Sequence, residues 1–433
     1  MNHITAFPCN DARPLPKRTD ILIIGAGVIG VSAALALAEA GHNLVLCEKG
    51  RIAAEQSSRN WGWIRAQGRD LRELPLALES QALWRRWAPR LDCDIGLRQG
   101  GVTYLATSDA EMARYRAWLE LARPFQLGTV ALSAQDADRL TGRSGRLFKG
   151  GIHTPSDMHA EPGLSVPALA RRAASLGATL FEAMAVRKLD IAGGRVVGAV
   201  TEHGRIAAQA VILAGGAWSR SFLENHGRGL AQLTVRSQCL RTEPAPAIAP
   251  GAIGAASIAA IRPRLDGGYA IGKSGAARVD LIPAAFAHFH RFLPIVRDRW
   301  KILKIRMGSE FFGALGRHRW GAEQLSPMET ARILDPSPDP GILRDAMAGA
   351  RHMFPQLAKV RIAESWGGMI DVTPDEIPVI GSVRGLPGLT LATGFSGHGF
   401  GIGPGAGSLA AQLATGAVPL VDPAAFAPAR LNA

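Results

Sequence analysis

Near its N-terminus the chain reads Asp20-Ile-Leu-Ile-Ile-Gly25-Ala-Gly27-Val-Ile-Gly30, a short apolar run followed by three closely spaced glycines. The pattern predicts a buried strand, a tight turn and then an alanine-rich helix over residues 31–40. Gly25 permits the turn, Gly27 lets the backbone approach a pyrophosphate, and Gly30 lets the helix pack closely on the strand. The amino terminus of the helix then faces the phosphates, which its free backbone amides can bind.

A second strand is predicted by Gly41-His-Asn-Leu-Val-Leu-Cys-Glu48, which stops the helix at its glycine and completes a strand–helix–strand unit. Glu48 lies at the end of this strand, where a carboxylate accepts hydrogen bonds from an adenosine ribose and repels a 2′-phosphate. The unit therefore predicts a dinucleotide site that disfavours NADP. By itself it does not distinguish FAD from NAD.

The composition is that of a soluble globular protein, with 47% hydrophobic and 20% charged residues. Because ordinary domains contain about 100 to 200 residues, a chain of 433 residues is expected to form two intertwined domains. The net charge of +13 is not specific, since it suits nucleic acid, a membrane surface, an anionic substrate or plain solvation. Prolines and charges interrupt the first 20 residues, and no apolar run approaches the length of about 20 residues that spans a bilayer, so we expect neither export nor a membrane anchor.

The cysteines are Cys9, Cys47, Cys93 and Cys239, and none of them stands in a Cys-x-x-Cys spacing. We therefore expect neither a zinc site nor a disulfide framework. A reducing, cytoplasmic location fits this pattern best.

Four further segments are rich in small, polar or glycine residues. They are Glu55-Gln-Ser-Ser-Arg-Asn-Trp-Gly-Trp-Ile-Arg65, Val211-Ile-Leu-Ala-Gly-Gly-Ala-Trp218, Glu364-Ser-Trp-Gly-Gly-Met-Ile-Asp-Val-Thr-Pro-Asp-Glu-Ile-Pro-Val-Ile-Gly381 and Ala392-Thr-Gly-Phe-Ser-Gly-His-Gly-Phe-Gly401. In this order they resemble the family of D-amino-acid oxidases, glycine oxidases and sarcosine oxidases. The resemblance covers the chain after Thr19 and implies an α/β fold, in which a discontinuous, Rossmann-like FAD-binding domain carries an α+β substrate domain with a mainly antiparallel sheet.

The same resemblance implies how the chain is divided between the domains. The expected segments are 17–90, 151–235 and 355–433 for the FAD-binding domain, 91–150 and 236–354 for the substrate-binding domain, and 1–16 for an N-terminal arm. The substrate domain therefore fills the gaps between the segments that bind the nucleotide.

The resemblance implies FAD, held noncovalently. Relatives in the sarcosine oxidase group attach flavin through a cysteine upstream of the last motif, whereas this chain has no cysteine after Cys239. The residues expected to contact FAD are Gly25, Gly27, Gly30, Glu48, Ser57, Ser58, Arg59, Asn60, Val186, Ala214, Gly215, Trp218, Gly367, Gly394, Ser396, Gly397, His398, Gly399, Phe400 and Gly401. Backbone amides in the glycine-dense turn over 397–405 would stabilise negative charge on the reduced flavin ring.

Two residues of the last motif bear on the chemistry. His398 is able to bond the flavin, bond the substrate or lock its own loop. Gly401 stands where some relatives carry a Lys that is thought to activate oxygen, so oxygen and another electron acceptor are equally open.

Candidate substrate-binding residues lie in two regions. Arg65 and Trp63 lie in the segment 55–65, which is expected beside the flavin. Arg65 can fix a substrate carboxylate or tune the flavin ring, and Trp63 can wall the pocket or belong to the core. The stretch over 261–272 predicts a hairpin with an Asp-Gly-Gly turn. Its flanks carry Arg262, Arg264 and Tyr269, a combination that can grip a carboxylate by charge-assisted hydrogen bonds. An ordinary exposed hairpin is the alternative.

The stretch 288–306 mixes large apolar residues with several basic ones and predicts an amphipathic helix. Such a helix can pack against the FAD domain, cover the active site, meet a partner subunit or lie on the inner face of a membrane. The sequence leaves these alternatives open.

The resemblance implies oxidation of a small amino acid, an N-alkyl amino acid or an opine-like amine by hydride transfer to flavin N5, with hydrolysis of the resulting imine. Two other hypotheses remain. A flavin-dependent tRNA-modification module would use the net positive charge, but no RNA-binding motif is evident, so no nucleic acid partner is expected. A subunit of a multi-protein amine or opine dehydrogenase would dock through 288–306.

Overall fold

The computed structural model describes residues 14–142, 147–256, 258–273, 277–299, 303–307, 309–316 and 319–431. Residues 1–13 of the predicted N-terminal arm over 1–16 therefore lie outside the described residues. The strands in chain order are β1 (Arg18–Ile24), β2 (Leu44–Cys47), β3 (Trp63–Ile64), β4 (Val102–Ala106), β5 (Val130–Leu132), β6 (Gly150–Thr154), β7 (Met158–His159), β8 (Thr179–Phe181), β9 (Val186–Ala192), β10 (Arg195–Thr201), β11 (Gly204–Leu213), β12 (Leu233–Thr242), β13 (Ala252–Ala255), β14 (Ala259–Pro263), β15 (Tyr269–Gly272), β16 (Ala277–Asp280), β17 (Leu303–Arg306), β18 (Ile362–Val372), β19 (Val379–Ser382) and β20 (Leu389–Thr393). The helices are α1 (Val28–Glu39), α2 (Gln56–Arg59), α3 (Leu74–Trp87), α4 (Asp109–Ala122), α5 (Ala134–Thr141), α6 (Pro162–Ser175), α7 (Ser219–Glu224), α8 (Pro283–Ala287), α9 (Phe289–Arg299), α10 (Pro327–Thr330), α11 (Pro340–Met353) and α12 (Gly399–Thr415).

The first sheet confirms the predicted Rossmann-like unit. Its strands follow the order β19-β20-β11-β1-β2-β8, and β9 and β10 extend it from β11 as an antiparallel pair. β1 pairs in parallel with both β2 and β11, so Ile24 lies opposite Cys47 on one side and Leu213 on the other. The carboxyl ends of these three strands therefore meet at one edge, where open α/β sheets bind their ligands.

The two glycine-rich ends of the chain come together on one face of this sheet. α1 and α12 pack side by side, with Gly403 and Gly407 of α12 against Val28 and Ser32 of α1. α1 is buried nearly all round, because the sheet lies on one side of it and α6 and α12 lie on others. A helix that is apolar on every face fits such a position.

The second sheet is mainly antiparallel, as predicted for the substrate domain. Its order is β17-β16-β12-β15-β14-β13-β4-β6-β5, with β18 paired to the other edge of β12. β14 and β15 form the predicted hairpin, with Ile261 opposite Ile271. β18 comes from the segment 355–433, so this part of the predicted FAD segment contributes a strand to the substrate sheet. The assignment of segments to domains stays a prediction.

Two predicted elements have different bounds in the structure. The amphipathic stretch 288–306 divides into α9 and the strand β17, and residues 300–302 between them lie outside the described residues. The predicted turn over 397–405 is mostly helix, because α12 already begins at Gly399. Among the described helices, none combines the length and the apolar character that crossing a membrane requires.

Candidate active site

A cavity of about 740 Å³ lies where the carboxyl ends of the parallel strands face the second sheet. Ile24 and Leu213, which end β1 and β11, line one side of it. Val235 of β12 and Gly254 of β13 line the other side. The cavity therefore joins the predicted nucleotide edge to the predicted substrate sheet.

The glycines of the first motif have different surroundings. Gly25 has φ +99°, and its N–H donates to the carbonyl of Cys47 at 2.9 Å. A Cβ at this position would lie 2.5 Å from the carbonyl oxygen of Ala214. Gly27 is the N-cap of α1, and Gly30 packs against the carbonyl of Gly25. A side chain at Gly25 or Gly30 would therefore require the backbone to shift.

Glu48 lines the cavity at the end of β2. Its Oε2 accepts a hydrogen bond from the N–H of Ala26 and its Oε1 accepts one from the N–H of Gly50, both at 2.8 Å. Burial raises the pKa of this carboxyl group above its usual range. Each oxygen keeps a lone pair for a further donor, which suits the hydroxyl groups of a ribose. Val186, the first residue of β9, lines the same end of the cavity.

The cations beside this end suit a pyrophosphate. Lys49, Arg51 and Arg59 line the cavity. Lys49 also pairs with the carboxylate of Glu55, and Arg59 with that of Asp335. One Nη of Arg59 is buried without a hydrogen-bond partner among the described residues. A glycine cradle, a helix amino terminus, a ribose acceptor and a buried guanidinium N–H together fit FAD.

Arg59 also holds the segment 55–65 in place. Its Nε donates to the carbonyl of Ala54 at 3.1 Å and its Nη1 donates to the carbonyl of Gly367 at 2.9 Å. The indole N–H of Trp366 donates to the carbonyl of Arg59 at 2.9 Å. These bonds tie α2 to β18, so Gly367 supports Arg59 from outside the cavity while its neighbour Gly368 lines it.

The last motif is organised by a buried aspartate that sequence reasoning did not single out. Oδ2 of Asp371 accepts hydrogen bonds from the N–H of Gly394 at 2.7 Å and from the hydroxyl of Thr393 at 3.2 Å. Ser396 follows with φ +48°, and its N–H donates to the carbonyl of Asp371 at 2.9 Å. This turn aims the amino terminus of α12 at the cavity, which residues 396–400 line.

His398 is held by an acid from another segment. Its Nε2 lies 2.7 Å from Oε1 of Glu73, whose side chain is buried, and the side chain of His398 is 13% exposed. Burial, and then the positive charge of Arg69, lower the pKa of His398 below its usual value of about 6.5. The imidazole is therefore neutral at pH 7, with its proton on Nε2 facing the carboxylate and Nδ1 left as an acceptor.

Close packing leaves no room for a side chain at Gly401. A Cβ there would lie 2.8 Å from the carbonyl oxygen of Trp63 and 3.2 Å from Cα of Ile64. Its carbonyl accepts hydrogen bonds from the hydroxyl of Ser80 and the indole N–H of Trp84. The first turn of α12 is thus pressed against β3, and Gly401 does not line the cavity.

Four aromatic side chains form one wall of the cavity, which we call the aromatic wall: Trp61, Trp63, Tyr104 and Tyr115. Successive ring centroids are 5.8, 6.1 and 6.1 Å apart. The guanidinium of Arg65 lies over the ring of Tyr104, 5.4 Å from its centroid. Arg65 and Trp63 therefore line the cavity, and their roles toward a substrate stay a prediction.

The hairpin residues proposed as a carboxylate clamp are placed elsewhere, and that prediction is wrong. The guanidinium of Arg262 is buried against the carboxylate of Glu161 at 2.8 Å, and its Nε donates to the carbonyl of Trp61. Arg264 contacts the same carboxylate at 3.1 Å. The hydroxyl of Tyr269 donates to the carbonyl of Pro246. In the hairpin these side chains point toward carboxylates and carbonyls of the protein, so they already have hydrogen-bond or ion-pair partners.

The structure thus divides the predicted site residues into two groups. Those that line the cavity are Gly25, Gly27, Glu48, Ser57, Arg59, Asn60, Trp63, Arg65, Val186, Ala214, Gly215, Trp218, Ser396, Gly397, His398, Gly399 and Phe400. Those that do not line it are Gly30, Ser58, Arg262, Arg264, Tyr269, Gly367, Gly394 and Gly401. Ser58 belongs to the second group because its hydroxyl turns back to the carbonyl of Glu55.

Sequence reasoning missed several residues on the substrate side. Arg69, Tyr104, Arg114 and Tyr115 all line the cavity. Arg69 follows the segment 55–65, whereas the other three residues come from β4 and α4. No spacing in the sequence connects these segments, because only the packing of α4 over β4 brings them to the aromatic wall.

Known proteins are similar to this chain along nearly its whole length. The model of the family described as FAD dependent oxidoreductase matches residues 20–413. The glycine oxidase of Geobacillus kaustophilus is 26% identical over 414 residues, which cover 92% of this chain and 93% of that protein. The glycine oxidase of Pseudomonas aeruginosa is 28% identical and covers 94% and 98%. The structure of an L-amino acid deaminase from Proteus myxofaciens in complex with anthranilate is 27% identical, covers 99% and 96%, and superposes with a TM-score of 0.92.

Proposed function

The chain belongs to the family of FAD-dependent oxidoreductases, and we propose that it oxidises the CH–NH bond of a small amino acid, N-alkyl amino acid or opine-like amine. Its relatives support an FAD-dependent amino-acid or amine oxidoreductase. The substrate and the course of the reaction are our proposal. The observation that carries it is the position of Arg65, a cation over the aromatic wall and beside the flavin-binding segments.

An amino acid has the groups that this arrangement would hold. Its carboxylate would pair with the guanidinium of Arg65 by charge-assisted hydrogen bonds. Trp61 and Trp63 would cover the substrate and exclude water. The Proteus myxofaciens deaminase is bound to anthranilate, which also carries a carboxylate and an amino group. This likeness supports a carboxylate subsite in the equivalent cavity here.

The chemistry needs few acids or bases from the protein. When bound, FAD would supply a hydride acceptor at N5, so that the α-carbon of the substrate could lose a hydride and its amine a proton, which gives an imine. The chain orients the substrate and selects its neutral amine. Nδ1 of the neutral His398 is available as an acceptor near the flavin segment. Water then adds to the released imine and yields a carbonyl compound and an amine or ammonia.

The binding of FAD and its reoxidation are part of the same proposal. We propose noncovalent FAD, because the sequence has no cysteine after Cys239. Reduced enzyme would pass its electrons to oxygen or to another acceptor. Rates of reoxidation by oxygen and by a dye, measured on the same reduced enzyme, would decide which acceptor it uses.

Anaerobic mixing of the holoenzyme with a panel of amino acids and amines tests the reaction. We expect a substrate to bleach the oxidised flavin band. We also expect Arg65→Gln to raise the Kd of a carboxylate substrate by about 10- to 100-fold. Bleaching by amines that lack a carboxylate, with equal efficiency, would contradict the role of Arg65. A panel in which no compound bleaches the flavin would contradict the function.

An apolar and basic surface next to the active-site cavity suits an anionic membrane surface, and we propose this as its partner. We call it the α8–α9 surface and define it by Phe286, Phe289 and Leu293. These side chains are 48% to 60% exposed, and α9 also carries Arg291 and Arg297. Phe292, Ile295 and Val296 on the inner side of α9 line the cavity. Apolar side chains surrounded by cations are typical of segments that bind anionic lipid.

Flotation with vesicles of anionic or zwitterionic lipid tests this surface. We expect the holoenzyme to float with anionic vesicles only, and Phe289→Asp with Leu293→Asp to abolish flotation. Val418→Asp is the matched control, since Val418 is 87% exposed but lies after α12. Failure to float, together with a stable complex with a second protein chain, would instead identify a partner subunit.

A further inference from the structure

Arg69 lines the cavity beside Arg65 and is only 5% exposed. Its guanidinium makes no hydrogen bond and no ion pair with the residues that the structure describes, and its Nε is fully buried. Burial, and then the nearby charge of Arg65, lower the pKa of Arg69 to about 9. Arg69 therefore remains charged at neutral pH, and a buried charge without a partner is unfavourable unless a ligand supplies one.

The loop that carries both arginines is held from two sides. The buried carboxylate of Asp157 accepts hydrogen bonds from the N–H groups of Ala66 at 2.8 Å and Gln67 at 3.2 Å. The indole N–H of Trp118 donates to the carbonyl of Arg69 at 2.8 Å. The two guanidinium groups are thus positioned by the fold before any ligand binds.

The acids near these arginines are committed to other groups or lie at other parts of the cavity. Glu73 contacts His398 rather than Arg69. Among the described residues, the acids that line the cavity are Glu48 and Glu55 on the nucleotide side, and Asp371 and Glu376 in the segment 364–381. The indole N–H of Trp63, which also lines the cavity, has no partner in the described part of the chain either. Nη1 of Arg65 donates to the carbonyl of Gln67, whereas Nε of Arg69 and the indole N–H of Trp63 have no acceptor among the described residues.

We propose that Arg65 and Arg69 bind two carboxylates of one substrate, so that the preferred substrates are amino or imino dicarboxylates. A single carboxylate pairs well with one planar guanidinium and would leave the second charge buried. A second carboxylate compensates it. The exposed Arg114 at the same wall adds positive charge that attracts a dianion. The choice of an amine as substrate rests on the proposed function, whereas the two-carboxylate subsite does not.

Binding of succinate and of succinamate, its monoamide, tests the subsite without any turnover. Both compounds have the same length, but succinamate lacks one carboxylate. Calorimetric titration of the holoenzyme at one ionic strength should give succinate a Kd at least about tenfold lower. Equal affinities in the wild-type enzyme would overturn the proposal.

Variants of Arg69 connect this preference to one side chain. Arg69→Gln should reduce the preference for succinate to less than about threefold and leave the affinity for succinamate nearly unchanged. Arg69→Lys keeps the charge and should retain part of the preference. Arg72→Gln is the matched control, because Arg72 is on the same segment but pairs with Asp70 on the surface. Equal weakening of both ligands by Arg69→Gln would show that Arg69 serves the flavin or a shared carboxylate instead.

Anaerobic flavin reduction then compares dicarboxylates with monocarboxylates. Aspartate and iminodiacetate should reduce the flavin with a higher ratio of rate to Kd than alanine and sarcosine, and Arg69→Gln should remove that difference. If succinate binds as expected but no amine reduces the flavin, the proposed function is wrong and the subsite stands. If monocarboxylates reduce the flavin best, the subsite is wrong and the function stands.

Discussion

Nε2 of His398 lies 2.7 Å from Oε1 of Glu73, which joins the loop before α12 to the residue that precedes α3. The pair is largely buried, and it lies near Arg69 and Arg65, whose charges influence both partners. A neutral imidazole bonded to a carboxylate keeps one tautomer and one ring orientation. Glu73 therefore acts as a positioning residue for His398.

A double-mutant cycle measures this pair. Glu73→Gln and His398→Asn, alone and combined, should show a coupling of about 1–3 kcal/mol in the free energy of unfolding, because each single change leaves a buried polar partner. Urea unfolding of the holoenzyme gives the free energies. The exposed pair of Arg98 and Asp94 is the control and should couple by less than about 1 kcal/mol. Additive effects at Glu73 and His398 would contradict the assignment.

Gly401 should not tolerate a methyl group. Gly401→Ala would press its Cβ against the carbonyl of Trp63, so α12 and β3 must separate. We expect the free energy of unfolding to fall by about 1–3 kcal/mol. Flavin reduction should also slow, because β3 carries Trp63 and leads into Arg65. Gly229→Ala is the control, since a Cβ there meets nothing within 4 Å; an equal effect of the two changes would refute the packing argument.

The buried pair of Arg262 and Glu161 should act on stability and not on substrate binding. Arg262→Gln would leave the carboxylate of Glu161 without its main partner and should lower the free energy of unfolding by about 3–5 kcal/mol. Adding Glu161→Gln should restore part of that loss. The Kd of a carboxylate substrate, measured by flavin perturbation, should change by less than about tenfold. A larger change in Kd, comparable to that caused by Arg65→Gln, would show that Arg262 contributes to substrate binding.

Stability should decrease in mild acid. Burial lowers the pKa of His159 to about 4, against about 6.5 in an unfolded chain. The unfolded state therefore binds the proton first, so stability is lost as the pH falls from about 6.5 to about 4. The loss is about 3–4 kcal/mol, because the two pKa values differ by about 2.5 and a difference of one corresponds to about 1.4 kcal/mol. The lowered pKa of His398 acts in the same direction. Urea unfolding at several pH values should show a flatter profile for His159→Gln, and identical slopes would contradict this linkage.

Much of the nucleotide half of the molecule could be predicted because its signals are local. The turn at Gly25, the packing of Gly30 and the acid at Glu48 each follow from spacing within one strand–helix–strand unit. The hairpin of β14 and β15 was predictable for the same reason. Where its side chains point was not, because Glu161, which takes Arg262 and Arg264, is about a hundred residues away in the chain.

The sequence by itself determined the strand–helix–strand unit, the glycine turns and the order of the flavin-binding segments, since backbone geometry and short-range patterning set these features. Only the tertiary structure decided which charges face the cavity. The sequence predicted Arg262 as a substrate-binding residue, but its charge is compensated by Glu161. No sequence pattern singled out Arg69, which lines the cavity without a hydrogen-bond partner in the described chain. Whether a charge is compensated depends on distances between remote segments, and those distances exist only after the two sheets have packed together.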